Sequence, residues 1–246
     1  MAFNRSTMIE LLEGVRTFEQ DVYPEKEQLF RNLAYHQNPA TLFITCADSR
    51  ISPPMITQTE PGELFLIRNV GNIVPAYGIN IGSTSSAIEY AVAVLKVKNI
   101  IICGHSNCGA MSALMDLDSP KMRKLSTIRR WLCNAEAARA SLVDIDPEHP
   151  TPEMIRALTE ANVRLQLAHL RTHPSVAAAL ARRELAIEGW YYDIPNGRLR
   201  VLDLLEDSTI SVDEAIRELR EQQSDSANAP AISGHICHPH DHHGHR

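Results

Sequence analysis

Three short apolar runs constrain the fold of this 246-residue chain more than any other feature. They span residues 41–46, 64–68 and 99–103 and consist largely of β-branched or large aliphatic residues, with no regular polar alternation. Runs of this length and pattern are typical of strands that are buried on both faces of a parallel sheet. Between the second and third runs, a glycine-containing loop (71–82) precedes a predicted helix. The sequence therefore predicts an α/β fold with a central, mostly parallel β-sheet flanked by helices.

The rest of the chain divides into an arm, a domain and a tail. Residues 1–36 are predicted to be a helical arm, because apolar residues recur at helical spacing and Pro24 suits the start of a second helix. This arm either packs within the chain or contributes to a dimer. Residues 37–220 form the α/β domain, with a late strand pair (186–193 and 198–203) and a last helix at 211–220. Residues 221–246 are predicted to be disordered, since 222–234 are rich in Gln, Ser, Ala and Asp.

The C-terminal end of the chain is rich in histidine. Residues 234–246 contain six of the eleven histidines. Neutral imidazoles bind zinc and nickel well, so one interpretation is a metal reservoir. The other is a solvated extension with incidental metal affinity, part of which is not native to the gene. We favour the solvated extension.

Charge and cysteine content exclude several classes of protein. A net charge of −6 and the lack of a clustered basic patch argue against a nucleic-acid partner. No apolar run approaches the roughly 18 residues of a membrane-spanning helix, and the first residues lack the apolar core of a secretory signal. The five cysteines are an odd number, which favours thiols and ligands over a disulfide framework. We expect a cytoplasmic protein with no membrane partner.

Two motifs supply a metal-ligand set. Cys46-Ala-Asp-Ser-Arg50 follows the first predicted strand, and Gly104-His105-Ser-Asn-Cys108-Gly109 follows the third. Ligands of open α/β sheets bind beyond the carboxyl ends of strands, where Cys46 and His105 are placed. Two thiolates and one imidazole form a known catalytic zinc set with one open position. The motifs therefore predict one Zn²⁺ per chain, the alternative being that Cys46 and Cys108 are small buried apolar residues.

The first motif also carries a charged pair. Asp48 and Arg50 are two residues apart on the turn after the strand, and a guanidinium offers a fixed fork of donors to a carboxylate. Asp48 would either accept a hydrogen bond from a water on the metal or become the fourth ligand itself. The alternative is an ordinary turn salt bridge. Gly104 permits a tight turn or a close backbone approach beside the ligands. At and after the end of the second strand, Arg68, Asn69 and Gly71 either line the pocket or only stabilise the loop.

The motifs as a set resemble the β-class carbonic anhydrases. The resemblance rests on 46–50, 60–69, 87–92 and 102–110, and it extends from about residue 8 to residue 203. It is strongest to the bacterial branch associated with cyanate degradation and to cyanobacterial relatives. It implies reversible hydration of carbon dioxide to bicarbonate and a proton. Zinc would be held by Cys46, His105 and Cys108, with Asp48 and Arg50 as the catalytic pair.

The resemblance also implies an open, unregulated site. Gln37, Phe65, Val70 and Tyr90 match substrate-pocket positions of the plant-like subgroup, and Gly104 is predicted to join them. Phe43 stands where the bicarbonate-regulated subgroup has tryptophan, so we expect water rather than Asp48 on the zinc and no bicarbonate switch.

The family implies a homodimer or tetramer, in which Gln37 and Tyr90 could serve the neighbouring subunit. The alternatives are hydrolysis of carbon disulfide or carbonyl sulfide on the same fold, and a non-catalytic zinc-binding protein.

Overall fold

The computed structural model describes residues 5–79, 82–142, 149–203, 206 and 208–228, with only the backbone of 225–228. The helices are α1 (Arg5–Thr17), α2 (Tyr23–Leu33), α3 (Pro53–Thr57), α4 (Ser83–Glu89), α5 (Gly109–Met115), α6 (Pro120–Arg123), α7 (Ser126–Leu132), α8 (Glu136–Ala140), α9 (Pro152–Arg171), α10 (Pro174–Ala181) and α11 (Val212–Asn228). The strands are β1 (Thr41–Cys46), β2 (Leu64–Asn69), β3 (Asn99–His105), β4 (Ala186–Asp193), β5 (Arg198–Leu202) and β6 (Thr209–Ser211).

The described strands form one mixed sheet, which confirms the predicted fold class. Their order is β2-β1-β3-β4-β5-β6. The first three pairings are parallel, and the last two are antiparallel. Cys46 pairs with Asn69, and Thr45 pairs with Cys103. The carboxyl ends of β2, β1 and β3 therefore lie side by side, and both predicted motifs are located at that edge of the sheet.

Both faces of β1 and β3 are covered, which explains the lack of polar alternation in these two strands. Leu42, Ile44, Ile100 and Ile102 are fully buried on one face, in a cluster with the apolar residues of α9 and α10. The intervening residues, such as Phe43, pack on the other face against Trp190. Helix α9 begins at Pro152 behind Thr151, whose hydroxyl accepts a hydrogen bond from the Met154 N–H. This long helix packs on β3 and β4 and reaches the edge that carries the motifs.

The predicted helical arm is present. Helices α1 and α2 are joined by a π-helical segment (Phe18–Val22) without a break, and Pro24 lies in the first turn of α2. No residue of α1 or α2 is buried. The Lys26–Glu60 ion pair, 2.6 Å between Nζ and Oε2, ties α2 to the loop before β2. The apolar face of α1 is left exposed on this chain.

The late hairpin is confirmed, but the end of the domain is not. Strands β4 and β5 pair as predicted, whereas α11 continues to Asn228 instead of ending near residue 220. The prediction of disorder is therefore wrong for residues 222–228. Glu, Gln and Arg favour helix, and Asp213 and Glu214 lie in its first turn, where carboxylates interact well with the helix dipole. The histidine-rich end lies outside the described residues.

None of the helices that the structure describes is long and apolar enough to cross a membrane.

Candidate metal centre

Three ligand side chains meet at the carboxyl edge of the sheet. Cys46 ends β1, His105 ends β3, and Cys108 immediately precedes α5. Their ligand atoms all lie within 4.8 Å of one another, and the three residues are buried. The parallel register brings Cys46 to His105, and the short 105–108 turn then returns Cys108 to the same point. The structure thus brings together the three residues that the motifs predicted as metal ligands.

His105 presents an unsatisfied nitrogen to this cluster. Its Nδ1 lies 2.9 Å from the Ser106 carbonyl oxygen, which can only accept, so the proton resides on Nδ1. The other nitrogen, Nε2, is buried and has no hydrogen-bond partner. Leaving a buried acceptor without a partner costs about 1–3 kcal/mol. A metal ion bound between Nε2 and the two sulfurs would satisfy this atom.

The two thiols are unequal in the absence of a metal. The pKa of Cys46 is lowered, first because the Cys108 thiol donates a hydrogen bond to its thiolate and then because the Gly71 N–H also donates to it, although burial opposes the shift. The pKa of Cys108 is raised because its proton is shared with Cys46 and because the thiol is buried. A cation bound at this point would stabilise both thiolates. The donor set therefore fits a soft or borderline metal ion.

Asp48 and Arg50 form the predicted pair beside the ligands. Arg50 Nε lies 2.9 Å from Asp48 Oδ1, and Arg50 Nη2 lies 2.8 Å from Asp48 Oδ2. The Arg50 backbone N–H also donates to Oδ1, at 3.0 Å. This fork holds the pKa of Asp48 well below its usual range. Asp48 Oδ2 lies 3.9 Å from His105 Nε2, so an ionised carboxylate faces the ligand cluster.

Arginines also fix the loops that carry the ligands. Arg50 Nη2 donates to the Asn107 carbonyl at 3.1 Å and so connects the loop after β1 to the loop after β3. Arg68 donates to the carbonyl oxygens of Cys46, at 3.3 Å, and Asp48, at 2.6 Å. Asn69 bonds both the N–H and the carbonyl of Ile73. Arg68 and Asn69 thus stabilise the loops through contacts with backbone atoms.

The sequence did not reveal a hydrogen bond to the Cys46 sulfur. The Gly71 backbone N–H donates to Cys46 Sγ, at 3.4 Å between N and S. Gly71 has φ +81°, and a Cβ there would lie 3.1 Å from Ala110 Cβ. Glycine suits this position for both reasons. The only sequence signal was the glycine content of the 71–82 loop, which does not specify a partner.

The predicted pocket residues are not all near the ligands of their own chain. Val70 is adjacent to Gly71 and lines a cavity of about 530 Å³ that Gly109 also borders. The rings of Phe65 and Tyr90 pack together at 6.0 Å between centroids. However, Asn69 is the β2 residue that pairs with Cys46, and Phe65 lies four residues before it. Four residues of strand span about 13 Å, so Phe65 is far from the Cys46 end of the sheet. Gln37 is exposed.

Gly104 faces helix α9. An ideal Cβ on Gly104 would lie 2.6 Å from Thr159 Cγ2 and 2.9 Å from Val163 Cγ2. The absence of a side chain therefore lets α9 pack closely on the end of β3. This contact is a structural reason for glycine at this position, and a role in the substrate pocket remains a prediction.

The sequence of this chain is similar to those of known carbonic anhydrases. Residues 41–199 match a protein-family model described as carbonic anhydrase. A carbonic anhydrase of Pseudomonas aeruginosa is 49% identical over 197 residues, covering 80% of this chain and 88% of that protein. Carbonic anhydrase 1 of Escherichia coli O157:H7 is 45% identical over 196 residues, with the same two coverages, 80% and 88%.

Solved structures agree with this match. The β-carbonic anhydrase CcaA superposes with a TM-score of 0.80 at 38% identity, covering 84% of this chain and 92% of that one. A structure from a study of two tetrameric β-carbonic anhydrases of Sordaria macrospora gives a TM-score of 0.69 at 30% identity, covering 80% and 97% of the two chains. The family-model match spans both motifs, and each of the two structural matches covers at least 80% of this chain.

Proposed function

This chain belongs to the β-carbonic anhydrase family, and from that premise we propose that it hydrates carbon dioxide reversibly with one zinc ion held by Cys46, His105 and Cys108. The observation that carries the proposal is the buried cluster of three ligand atoms within 4.8 Å of one another. Within this cluster, the Nε2 of His105 is buried and has no hydrogen-bond partner among the described residues. Family membership supports the reaction, and the donor set supports the metal.

Zinc is the ion that suits these donors best. Cys₂His with an open fourth position is a ligand set of catalytic zinc, whereas hard cations such as Mg²⁺ prefer oxygen. When bound, zinc lowers the pKa of a water molecule to near 7 in favourable sites, which makes hydroxide available at neutral pH. The three ligands come from two strand ends and a helix start, which are rigid supports for a metal centre.

Asp48 is proposed to orient the attacking water. Its pKa is lowered by the Arg50 fork, so the carboxylate is ionised at neutral pH and accepts a hydrogen bond. Because its proton affinity is low, it does not retain the proton that hydration releases. The reaction converts one carbon dioxide and one water into bicarbonate and a proton, and that proton passes to solvent or buffer. Asp48 is therefore an orienting acceptor, and Arg50 holds it in position.

We further propose that the centre is open, with Asp48 off the metal. Both carboxylate oxygens of Asp48 are engaged by Arg50, and the Nη2 of Arg50 is itself anchored on the Asn107 carbonyl. Ligation of zinc by Asp48 would require this fork to break. This arrangement supports the expectation of a permanently accessible site without a bicarbonate switch.

A homodimer, which can associate further to a tetramer, is part of the proposal. Phe65 and Tyr90 pack on each other away from the ligands of their own chain, and Gln37 is exposed. We propose that these three residues complete the pocket of the partner subunit, while Val70 serves its own. The exposed apolar face of α1 is the proposed dimer contact.

A cytoplasmic location is also proposed, and the four described cysteines, all free thiols, are consistent with it.

Stopped-flow hydration of carbon dioxide, with zinc measured on the same samples, tests this function. We expect rapid hydration and about one zinc per chain in the wild type. Cys46→Ala should lose both, because two remaining ligands cannot hold the ion tightly. Cys133→Ala is the matched control: Cys133 is exposed, directly follows α7, and its thiol donates to the Arg129 carbonyl of that helix. Full zinc occupancy without hydration would contradict the proposed reaction, and equal zinc in both variants would contradict the proposed ligands.

A further inference from the structure

The Gly71 amide that contacts Cys46 belongs to a peptide unit with a second hydrogen bond. The Val70 carbonyl and the Gly71 N–H are the two ends of the same peptide group. The Trp131 indole Nε1 donates to the Val70 oxygen at 2.8 Å, while the Gly71 nitrogen donates to Cys46 Sγ at 3.4 Å. A donor on the carbonyl polarises the peptide and strengthens its N–H as a donor. The indole and the sulfur are thus connected through one planar group.

The next peptide unit is also held, by helix α9. The Asn162 amide donates from Nδ2 to the Gly71 carbonyl at 3.0 Å. Its Oδ1 accepts from Gln166 Nε2 at 2.8 Å, and Gln166 Oε1 accepts from the Val74 N–H, also at 2.8 Å. Both side chains are fully buried. A backbone acceptor at one end and a backbone donor at the other allow only one orientation of each amide.

Gly71 needs these two restraints because glycine does not restrict its own backbone. At φ +81° it occupies a region that it can leave easily, since no Cβ opposes rotation. Trp131 fixes the peptide before it, and Asn162 fixes the peptide after it. Together they determine where the Gly71 N–H points, which is at the sulfur of a predicted metal ligand.

We propose that Trp131 and Asn162 are positioning residues that hold the Gly71 N–H on the Cys46 sulfur and thereby tune its donation of charge to the metal. The inference rests on the proposed metal centre. Hydrogen bonds around a ligating sulfur adjust the electronic properties of a metal site, and the groups that orient ligands matter nearly as much as the ligands themselves. Neither residue touches substrate or metal, and both act through the loop.

Cobalt(II) replacement gives a spectroscopic test. Thiolate-bound cobalt absorbs in the near ultraviolet through transfer of charge from sulfur to metal. An N–H···S bond stabilises the sulfur lone pair and raises the energy of this transition. We therefore expect Trp131→Phe, which removes the indole donor but keeps an aromatic ring, to shift the band to longer wavelength. Asn162→Ala should shift it in the same direction by releasing the other peptide.

The chain supplies a matched control in its second tryptophan. Trp190 on β4 donates its indole N–H to Glu188 Oε2 at 3.0 Å, away from the loop. Trp190→Phe makes the same chemical change, and it should leave the band where the wild type has it. Thermal unfolding of the cobalt proteins identifies any variant that has lost its fold. If Trp131→Phe does not fold, the band position of Asn162→Ala tests the proposal. If Asn162→Ala does not fold, the band position of Trp131→Phe tests it.

The outcomes separate this inference from the function on which it rests. Suppose that the wild-type cobalt protein shows a thiolate band and that none of the folded variants shifts it. This result would overturn the positioning role but leave the proposed ligands intact. An equal shift in Trp190→Phe would overturn it too, because the effect would then not pass through the loop. A wild-type protein with no thiolate band would overturn both this inference and the proposed ligands.

Discussion

At the scale of single residues, Gly104 and Gly109 bracket the His105–Cys108 turn but occupy different surroundings. A Cβ on Gly104 would press on Thr159 and Val163 of α9, whereas a Cβ on Gly109 would meet nothing within 4 Å. Gly104 therefore allows the sheet and α9 to approach, and Gly109 has no comparable packing constraint. Two glycines that look equivalent in the sequence thus differ in what a side chain would cost.

Alanine substitution should separate the two glycines. Gly104→Ala inserts a methyl group into a packed contact and should destabilise the fold by about 1–3 kcal/mol. Gly109→Ala, at the start of α5, should change stability by less than about 1 kcal/mol and can even increase it, because alanine reduces the freedom of the unfolded chain. Urea unfolding of both variants beside the wild type measures the difference. Equal free energies of unfolding would contradict the packing role of Gly104.

At the scale of elements, α9 and the turn that follows it hold the loop after β2 through backbone contacts. His169 Nδ1 lies 2.9 Å from the Val74 carbonyl oxygen, and His173 Nε2 lies 3.1 Å from the Pro75 carbonyl oxygen. The Tyr77 N–H donates to Thr172 Oγ1 at 2.8 Å. With Asn162 and Gln166, these contacts fix the loop along its length. His169 and His173 therefore anchor this loop.

This anchoring predicts a dependence of stability on pH. Burial lowers the pKa of His173, with a smaller contribution from nearby His169, although its bond to Pro75 opposes the shift. The unfolded state, with a histidine pKa of about 6.5, then binds more protons than the folded state in the range below that value. The free energy of unfolding should therefore decrease as pH falls through about 6.5.

His173→Gln removes this titration while keeping a donor for the Pro75 carbonyl. The wild type should lose more stability than this variant between about pH 7.5 and pH 5.5, a range that spans the reference histidine pKa. Urea unfolding at several pH values measures the two slopes. Parallel curves would show that His173 does not contribute to the pH dependence.

At the scale of the whole molecule, the exposed apolar face of the arm supports the proposed dimer. Met8, Leu11, Leu12 and Val15 of α1 are each more than half exposed, and they recur at the spacing of one helix face. Contiguous apolar surface of this kind marks an interaction site. In the dimer proposed above, a second copy covers this face, and its Phe65 and Tyr90 complete the pocket of the first chain.

Charges on the apolar face of the arm should therefore dissociate the protein. Leu12→Glu combined with Val15→Glu should lower the mass observed by sedimentation velocity and reduce kcat/KM for carbon dioxide, because the pocket loses its partner residues. Glu10→Lys, on the polar side of α1, is the control and should retain the oligomer. An undiminished oligomer in the double variant would refute the role of this face.

The sequence was most informative where chemistry is local and least informative where it depends on distant contacts. Strand ends, ligand spacing and the Asp48–Arg50 pair follow from short motifs and the geometry of parallel strands. The Gly71 contact with Cys46 and the Asn162 contact with Gly71 join residues 25 and 91 positions apart. No periodicity specifies such pairs. The extension of α11 was missed because polar composition suggested disorder, although the same residues favour helix.

Oxygen-18 exchange between labelled carbon dioxide and water, followed by mass spectrometry at chemical equilibrium, tests the central claim most directly. It reports interconversion of carbon dioxide and bicarbonate at the site, with zinc-loaded, chelator-stripped and zinc-restored protein as the three samples. The account predicts rapid depletion of the label with loaded protein, loss of that activity on stripping and its return with about one zinc per chain. Exchange that persists after complete removal of zinc, or none in fully loaded protein, would contradict it.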